Sequence, residues 1–337
     1  MADLTPPILK LVTLLNREGT QATPVPCMRL HEGTPGSWLI RDAAIGHAIL
    51  KSQHVKPFDL LRYFKQVTRT GDGELGAMEG YFTHGPLLRH GQPHHEARKA
   101  VVQLYQSIEA DLAEWLEDYT QAFLHALRKM PTPATRLAQD YVAGLYQHMI
   151  GRQLQCAPAD LPPLPENLFD LMPRKATMQE ANRGLQAFVD ACLANAQHPL
   201  ESRLWPLITL VVMGKDALQT ALLFALHHPD IFDADTLFRL STPVNVIARE
   251  VTQASNIGNQ PFCQGDILYV CPSLMETHPT YGRLEFGAGQ HICAGRKIAL
   301  IIANTFLSAL HRTQGLEIRT DDLTWTRNLL LTPKERA

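Results

Sequence analysis

One cysteine of this 337-residue chain lies in a segment whose residue types and spacing could hold a metal. The segment EFGAGQHICAGRKIAL contains the pattern F-x-x-G-x-H-x-C-x-G, which runs from Phe286 to Gly295 with the cysteine at position 293. Gly287 and Gly289 allow a tight backbone bend before Cys293. Such a bend can turn backbone N–H groups toward the sulfur, which favours the thiolate over the thiol.

A helix is predicted to begin at Ala294, directly after the cysteine. The partial positive charge of its N-terminus would add to the stabilisation of a thiolate. No second cysteine or histidine lies at a spacing typical of zinc sites, so the pattern indicates a single axial ligand to a planar metal cofactor. The alternative is a buried structural cysteine in a glycine-rich turn.

Most of the remaining chain has the periodicity of helices, with apolar residues three and four positions apart. Residues 94–127 predict one or two long helices, and residues 201–229 predict a helix that is apolar on nearly every side and therefore central. Strand-like pieces follow at 243–248, 266–271, 316–319 and 324–331. We therefore predict a mainly α fold with a minor β part, organised as a single domain over 1–337.

Composition narrows the classes of partner. The formal net charge is −2, so a nucleic-acid or anionic-membrane partner is not expected. No signal peptide and no membrane span are expected either. The six cysteines form no tight framework, which favours a reducing compartment and a cytoplasmic location.

The cysteine segment resembles the haem-binding loop of the cytochrome P450 superfamily. The resemblance implies a cytochrome P450-like domain that holds haem b, with Cys293 as the thiolate ligand of the iron. It also implies that Phe286 packs near the sulfur and that His291 contacts a haem propionate. Gly287 and Gly295 would shape the loop around the cofactor.

Further segments are similar to family motifs in the family's order. GQPHHEARKAV resembles the start of the helix that crosses the haem edge, which implies that His95 and Lys99 pair with the propionates. These two residues are four apart and so share a helix face. Arg249 matches the strand arginine that holds a propionate.

The central helix resembles the one that covers the distal haem face, but it departs from the family motif. The motif Ala-Gly-x-Asp/Glu-Thr reads Met-Gly-Lys-Asp-Ala at 213–217. The resemblance implies a catalytic role for Asp216 in proton delivery. Ala217 replaces the threonine whose hydroxyl helps deliver protons to dioxygen in the family, so the resemblance at this position does not imply ordinary monooxygenation.

Two other departures make this a short, divergent member of the family by resemblance. Thr236 stands where the Glu-x-x-Arg motif has its glutamate, although Arg239 is present. The N-terminal region and the meander before the cysteine look abbreviated. The resemblance also implies a substrate pocket. It would be lined by Tyr81, Met213, Gly214, Ala217, Val244 and the turn near Asn328.

Several functions remain open from the sequence. The first is a haem-thiolate monooxygenase that acts on a small organic substrate and receives electrons from a ferredoxin-type protein. The second is an enzyme that uses peroxide, and the third is one that runs a non-oxygenating step such as dehydration, isomerisation or N–O or N–N chemistry. The fourth is a non-catalytic haem-binding sensor or carrier. Iron is the expected metal.

Overall fold

The protein is built mainly from α-helices, with a smaller set of short strands, which confirms the predicted fold class. The computed structural model describes residues 5–17, 25–31, 33, 35–128, 130–165, 168, 170–197, 200, 202–320, 323–327 and 331–335. Asn328, which was predicted near the pocket, lies outside the described residues.

The helices that can be described include one very long segment, α5, and one largely buried segment, α8. Their bounds are α1 Thr5–Arg17, α2 Ala43–Lys51, α3 Leu60–Thr68, α4 Gly76–His84, α5 Gly91–Ala126, α6 Ala134–Leu154, α7 Lys175–Asn195, α8 Leu204–His227, α9 Ala234–Ser241 and α10 Arg296–Arg312. Aspartates begin several of them. The Asp42, Asp59 and Asp233 side chains accept hydrogen bonds from backbone N–H groups in the first turns of α2, α3 and α9.

The strands form one mixed sheet and three small pairs. Their bounds are β1 Cys27–His31, β2 Ser37–Ile40, β3 Val55–Pro57, β4 Thr132–Pro133, β5 Ile247–Val251, β6 Ser255–Ile257, β7 Gln260–Phe262, β8 Ile267–Val270, β9 Ile318–Arg319, β10 Leu323–Arg327 and β11 Leu331–Glu335. The main sheet has the order β1-β2-β8-β5-β3, with β2 and β8 parallel and the other pairs antiparallel. The sequence stretch 324–331, predicted as one strand, includes parts of the two antiparallel strands β10 and β11.

Helix α8 lies at the centre of the helical part. It contacts α4, α5, α6, α7, α9 and α10, as a helix that is apolar on nearly every side must. By length and composition α8 could cross a membrane, but most of its apolar window is buried inside the protein. Its burial is therefore the ordinary consequence of its central place.

The two helices nearest the cysteine differ in detail from the sequence prediction. Residues 91–126 form one continuous helix. Helix α10 begins at Arg296 with Gly295 as its N-cap, two residues later than the predicted start at Ala294. The later start leaves the backbone N–H groups of Gly295 and Arg296 free of intrahelical bonds and close to the sulfur of Cys293.

Candidate functional site

A large cavity lies between the central helix α8 and the loop that carries Cys293. Its walls come from α5, α8 and α10, from strand β5 and from the segments before β5 and before α10. Apolar side chains dominate, including Val101, Leu210, Val244 and Ile298. Such a concave, mostly apolar space with a few polar groups is the usual form of a cofactor or ligand site.

The loop before Cys293 has the bend that its glycines predict. Gly287 and Gly289 have φ angles of +69° and +68°, in the left-handed region that glycine tolerates best. The Cys293 backbone N–H donates to the carbonyl of Phe286 at 2.8 Å and closes the loop. At Gly289 a side chain would also overlap the backbone carbonyl of Leu50, so the loop can lie against α2 only without one.

Phe286, at the start of the cysteine loop, packs against residues of α9 and of the start of α10. Its ring lies 5.1 Å from that of Phe238, centroid to centroid. The guanidinium of Arg296 lies 5.2 Å from the centroid of the Phe286 ring, a cation–π distance. These contacts tie the loop to α9 and to the start of α10, so they fix the position of Cys293.

The surroundings of Cys293 act on its pKa in opposite directions. Cys293 is exposed to the open cavity, yet the protein packed around it still desolvates the thiol and raises its pKa. Hydrogen bonds from the Gly295 and Arg296 backbone and the charges of Arg98 and Arg296 lower this pKa. Burial is the largest effect, and the pKa lies above its usual value. The predicted N–H groups are present, but they do not by themselves make Cys293 a thiolate. A coordinating metal would, because a metal-bound thiol loses its proton.

Four basic side chains meet at one edge of the cavity: His94, Arg98, Arg249 and His291. The rings of His94 and His291 lie 3.8 Å apart, centroid to centroid. Arg249 is only 7% exposed, and its Nη1 donates to the backbone carbonyl of Ala248 at 2.9 Å. The buried Nε2 of His291 has no hydrogen-bond partner in the part of the chain that the structure describes.

Burial lowers the pKa values of this cluster of basic side chains. Burial lowers the pKa of His94 to about 4 and that of His291 to about 2, and in each case neighbouring cationic groups add to the effect. Burial likewise lowers the pKa of Arg249 to about 10. Among the described residues, no carboxylate forms an ion pair with any member of the cluster. The cluster is therefore a site that an anion would stabilise.

The structure corrects the assignment of the α5 residues by one position. His95 and Lys99 are exposed and do not line the cavity, whereas His94 is 3% exposed and lines it together with Arg98. Both pairs are four residues apart, so spacing alone could not separate them. A shift of one residue turns a side chain by about 100° around a helix.

Four residues of the predicted substrate pocket line this cavity, three of them on α8. Met213, Gly214 and Ala217 line the cavity on α8, and Val244 lines it from the segment before β5. Asp216 does not line the cavity, so its position does not support the catalytic role predicted for it. Its Oδ1 lies 2.7 Å from Nζ of Lys215, and its side chain is 29% exposed.

Tyr81 is a core residue and does not line the cavity, contrary to its predicted place in the pocket. It is 1% exposed, and its ring lies 5.3 Å from that of Phe82, centroid to centroid. Its hydroxyl lies beside that of Thr209, and burial raises its pKa well above the usual range. Tyr81 lies on α4, and no pattern in the sequence showed which way this helix faces.

The side chain of Arg239 is held by a neutral hydrogen-bond acceptor and not by a carboxylate. Its Nη2 donates to Oγ1 of Thr236 at 3.1 Å, so the threonine replaces an ion pair with a neutral acceptor. The two neighbouring acids have other roles, because Asp233 caps α9 and Asp235 lies 3.7 Å from Arg296. The sequence suggested an altered network here, and the structure shows its form.

Similar solved structures are cytochromes P450. A six-coordinate cytochrome P450 from Thermus thermophilus has a TM-score of 0.70 at 19% identity, with 96% of this chain and 95% of that chain covered. The cytochrome P450 TxtC, described in thaxtomin hydroxylation, has a TM-score of 0.67 at 14% identity, with 98% of each chain covered. The tirandamycin C-bound P450 monooxygenase TamI has a TM-score of 0.65 at 18% identity, with 88% of each covered.

No protein-family model and no curated protein matches the sequence. The resemblance seen in the sequence is thus borne out at the level of the fold, and the chain has a cytochrome P450-like fold.

Proposed function

We propose that the protein is a haem-thiolate oxidoreductase that binds haem b in this cavity, with Cys293 as the axial ligand of the iron. One observation carries the proposal: a cavity with a cysteine in its wall has an edge of buried basic groups without acidic partners among the described residues. Haem combines an iron that takes one axial thiolate with two carboxylates at one edge.

The residues present fit this group. His94, Arg98, Arg249 and His291 offer donors to the two propionates, and the partnerless Nε2 of His291 is a donor or acceptor that an anion-binding edge would use. A carboxylate there would also raise the lowered pKa values of the two histidines. His95 and Lys99 are exposed and are not part of this proposal.

The chain's own groups position the ligand and exclude water. The Gly295 and Arg296 N–H groups donate to the sulfur, and Phe286 covers the loop from the side of α9. Bound haem with a thiolate ligand supplies the oxidative chemistry, while the protein sets access and the position of the substrate. The predicted glycines at 287 and 295 serve this arrangement by allowing the bend and the late start of α10.

The substrate would be a small, mostly apolar organic molecule held against α8 and the segment before β5. Met213, Ala217 and Val244 belong to this wall. Tyr269, which is fully buried, also lines the cavity, and its hydroxyl has no partner among the described residues. We infer that the substrate carries one hydrogen-bonding group for this hydroxyl.

Electrons would come from a ferredoxin-type protein if the enzyme is a monooxygenase. A second candidate function rests on Ala217, which has no hydroxyl at the position where the family has threonine. That observation favours a peroxygenase or a non-oxygenating haem-thiolate enzyme. In either case we expect a cytoplasmic protein with one haem domain over 1–337.

The test is the absorption spectrum of the reduced carbon monoxide complex of the haem-loaded protein. Thiolate ligation gives a strongly red-shifted Soret band, which Cys293→Ala should abolish. Cys263→Ala is the matched control, since Cys263 is exposed and lies outside the cavity. A Cys293→Ala protein that keeps the wild-type band would overturn the proposal.

A further inference from the structure

The distal wall has a hydroxyl beside Ala217 that comes from a different helix. Tyr146, on α6, is 3% exposed and lines the same cavity as Gly214 and Ala217. A methyl group added to Gly214 would overlap the hydroxyl oxygen of Tyr146 and would lie 3.4 Å from its Cζ. The absence of a side chain at Gly214 therefore makes the space that the tyrosine hydroxyl occupies.

This position places the hydroxyl one helical turn from the missing threonine. Gly214 and Ala217 are three residues apart on α8, so their side-chain positions are neighbours about 5–6 Å apart. Sequence reasoning missed Tyr146 because it lies about 70 positions earlier and belongs to no motif. The only sequence signal was a glycine inside a helix otherwise rich in large apolar residues, which indicates a close approach by another group.

The hydroxyl of Tyr146 differs from those of its neighbours on α5 and α6. Tyr141 and Thr120 share a hydrogen bond of 2.8 Å, and the Tyr119 hydroxyl donates to the carbonyl of Tyr141 at 3.2 Å. Within the described part of the chain, the Tyr146 hydroxyl forms no such bond. The Tyr146 oxygen keeps accessible surface toward the cavity, where a ligand or water can pair with it.

Burial and the charges around Tyr146 raise the pKa of its hydroxyl, so the oxygen keeps its proton. Burial raises the pKa of Tyr146 far above its usual range, and the nearby Cys293 and Asp216 raise it further. The phenol is therefore neutral at any ordinary pH and is available as a hydrogen-bond donor. The side chain of Asp216 is 29% exposed and pairs with Lys215.

We propose that Tyr146 supplies the distal hydroxyl that Ala217 lacks. Its O–H donates a hydrogen bond into the cavity beside Gly214. As Oη gives a proton to a ligand bound there, a proton from solvent replaces it, so the tyrosine ends neutral. The inference rests on the proposed haem-thiolate function.

The test uses carbon monoxide as a probe of donors in the cavity of the haem-loaded, reduced protein. A donor to the bound probe lowers its C–O stretching frequency. Tyr146→Phe should therefore move the infrared band to higher frequency, and Gly214→Ala, which displaces the hydroxyl, should move it in the same direction. Tyr146→Phe combined with Ala217→Thr should move it back toward the wild-type value.

Tyr141→Phe is the matched control, because it removes a buried hydroxyl from the same helix outside the cavity. Its C–O band should stay at the wild-type frequency. An unchanged band in Tyr146→Phe, or an equal shift in Tyr141→Phe, overturns the inference. Absence of the red-shifted Soret band in the wild-type protein overturns the proposed function instead, so the two failures are distinguishable.

Discussion

The imidazole rings of His94 and His291 lie against each other with their centroids 3.8 Å apart, although 197 positions separate them in the sequence. One ring comes from the first turns of α5 and the other from the loop that ends at Cys293. Burial and the neighbouring guanidinium groups lower the pKa of both rings. The contact thus joins the long helix to the cysteine loop at the edge where an anion is needed.

The first prediction separates the cavity face of α5 from its solvent face. Arg98→Ala removes a guanidinium from the cavity wall and should weaken haem retention by about ten- to hundred-fold, because a hydrogen bond to a charged group contributes about 1.5–3 kcal/mol. Transfer of haem to an acceptor such as apomyoglobin measures the dissociation rate in each variant.

Lys99→Ala is the matched control on the next residue of the same helix. Lys99 is exposed, so its removal should change haem retention less than about two-fold. Equal loss in both variants, or loss in Lys99→Ala alone, would return the propionate site to the residues first expected from the sequence.

The cysteine loop could be predicted from the sequence because its information is local. Glycines with positive φ, the loop-closing hydrogen bond of Cys293 and the helix after it all lie within about ten residues of one another. The central place of α8 could also be predicted from the sequence, because a helix that is apolar on nearly every side has to be buried among other elements.

The errors came from features that depend on distant parts of the chain. The rotation of α5 is set by its packing on α8 and α10, and a one-residue error exchanges Lys99 for Arg98. Tyr81 faces Thr209 of α8 and not the cavity, which no local pattern reports. Tyr146 can be recognised as a cavity residue only in the folded structure, where α6 packs against Gly214.

The second prediction concerns the close approach at Gly289. Its φ of +68° costs an alanine roughly 1–2 kcal/mol, and the added methyl group would also overlap the backbone carbonyl of Leu50. Gly289→Ala should therefore lower the free energy of unfolding by more than this backbone cost. Urea denaturation followed by circular dichroism gives the value.

Gly73 offers a control with the same backbone demand and no neighbour. Its φ is +80°, and nothing lies within 4 Å of where a methyl group would be. Gly73→Ala should cost only the roughly 1–2 kcal/mol of the left-handed conformation. If the two variants lose the same stability, the loop does not press against α2 as the structure has it.

The third prediction starts from the cost of an unsatisfied hydroxyl. The Tyr269 side chain is 0% exposed, and its hydroxyl has no partner among the described residues. Because a buried orphan group costs about 1–3 kcal/mol, Tyr269→Phe should leave the free energy of unfolding unchanged or raise it. Tyr141→Phe should lower it by about 1 kcal/mol, since the Tyr141 hydroxyl is bonded to that of Thr120. Urea denaturation of both variants measures the contrast.

Because the unpaired Tyr269 hydroxyl destabilises the fold, we expect it to contribute to ligand binding. Tyr269 lines the cavity with Phe58, Leu60 and Leu171, which are apolar, so a ligand with an apolar body and one polar end fits that region. Decanol and decane are suitable probes, titrated against the haem-loaded protein and followed by the haem absorption spectrum. Tyr269→Phe should weaken decanol binding by about two- to ten-fold, the effect of one hydrogen bond, and leave decane binding unchanged. A variant that binds both probes as the wild type does would show that the Tyr269 hydroxyl is not a ligand anchor.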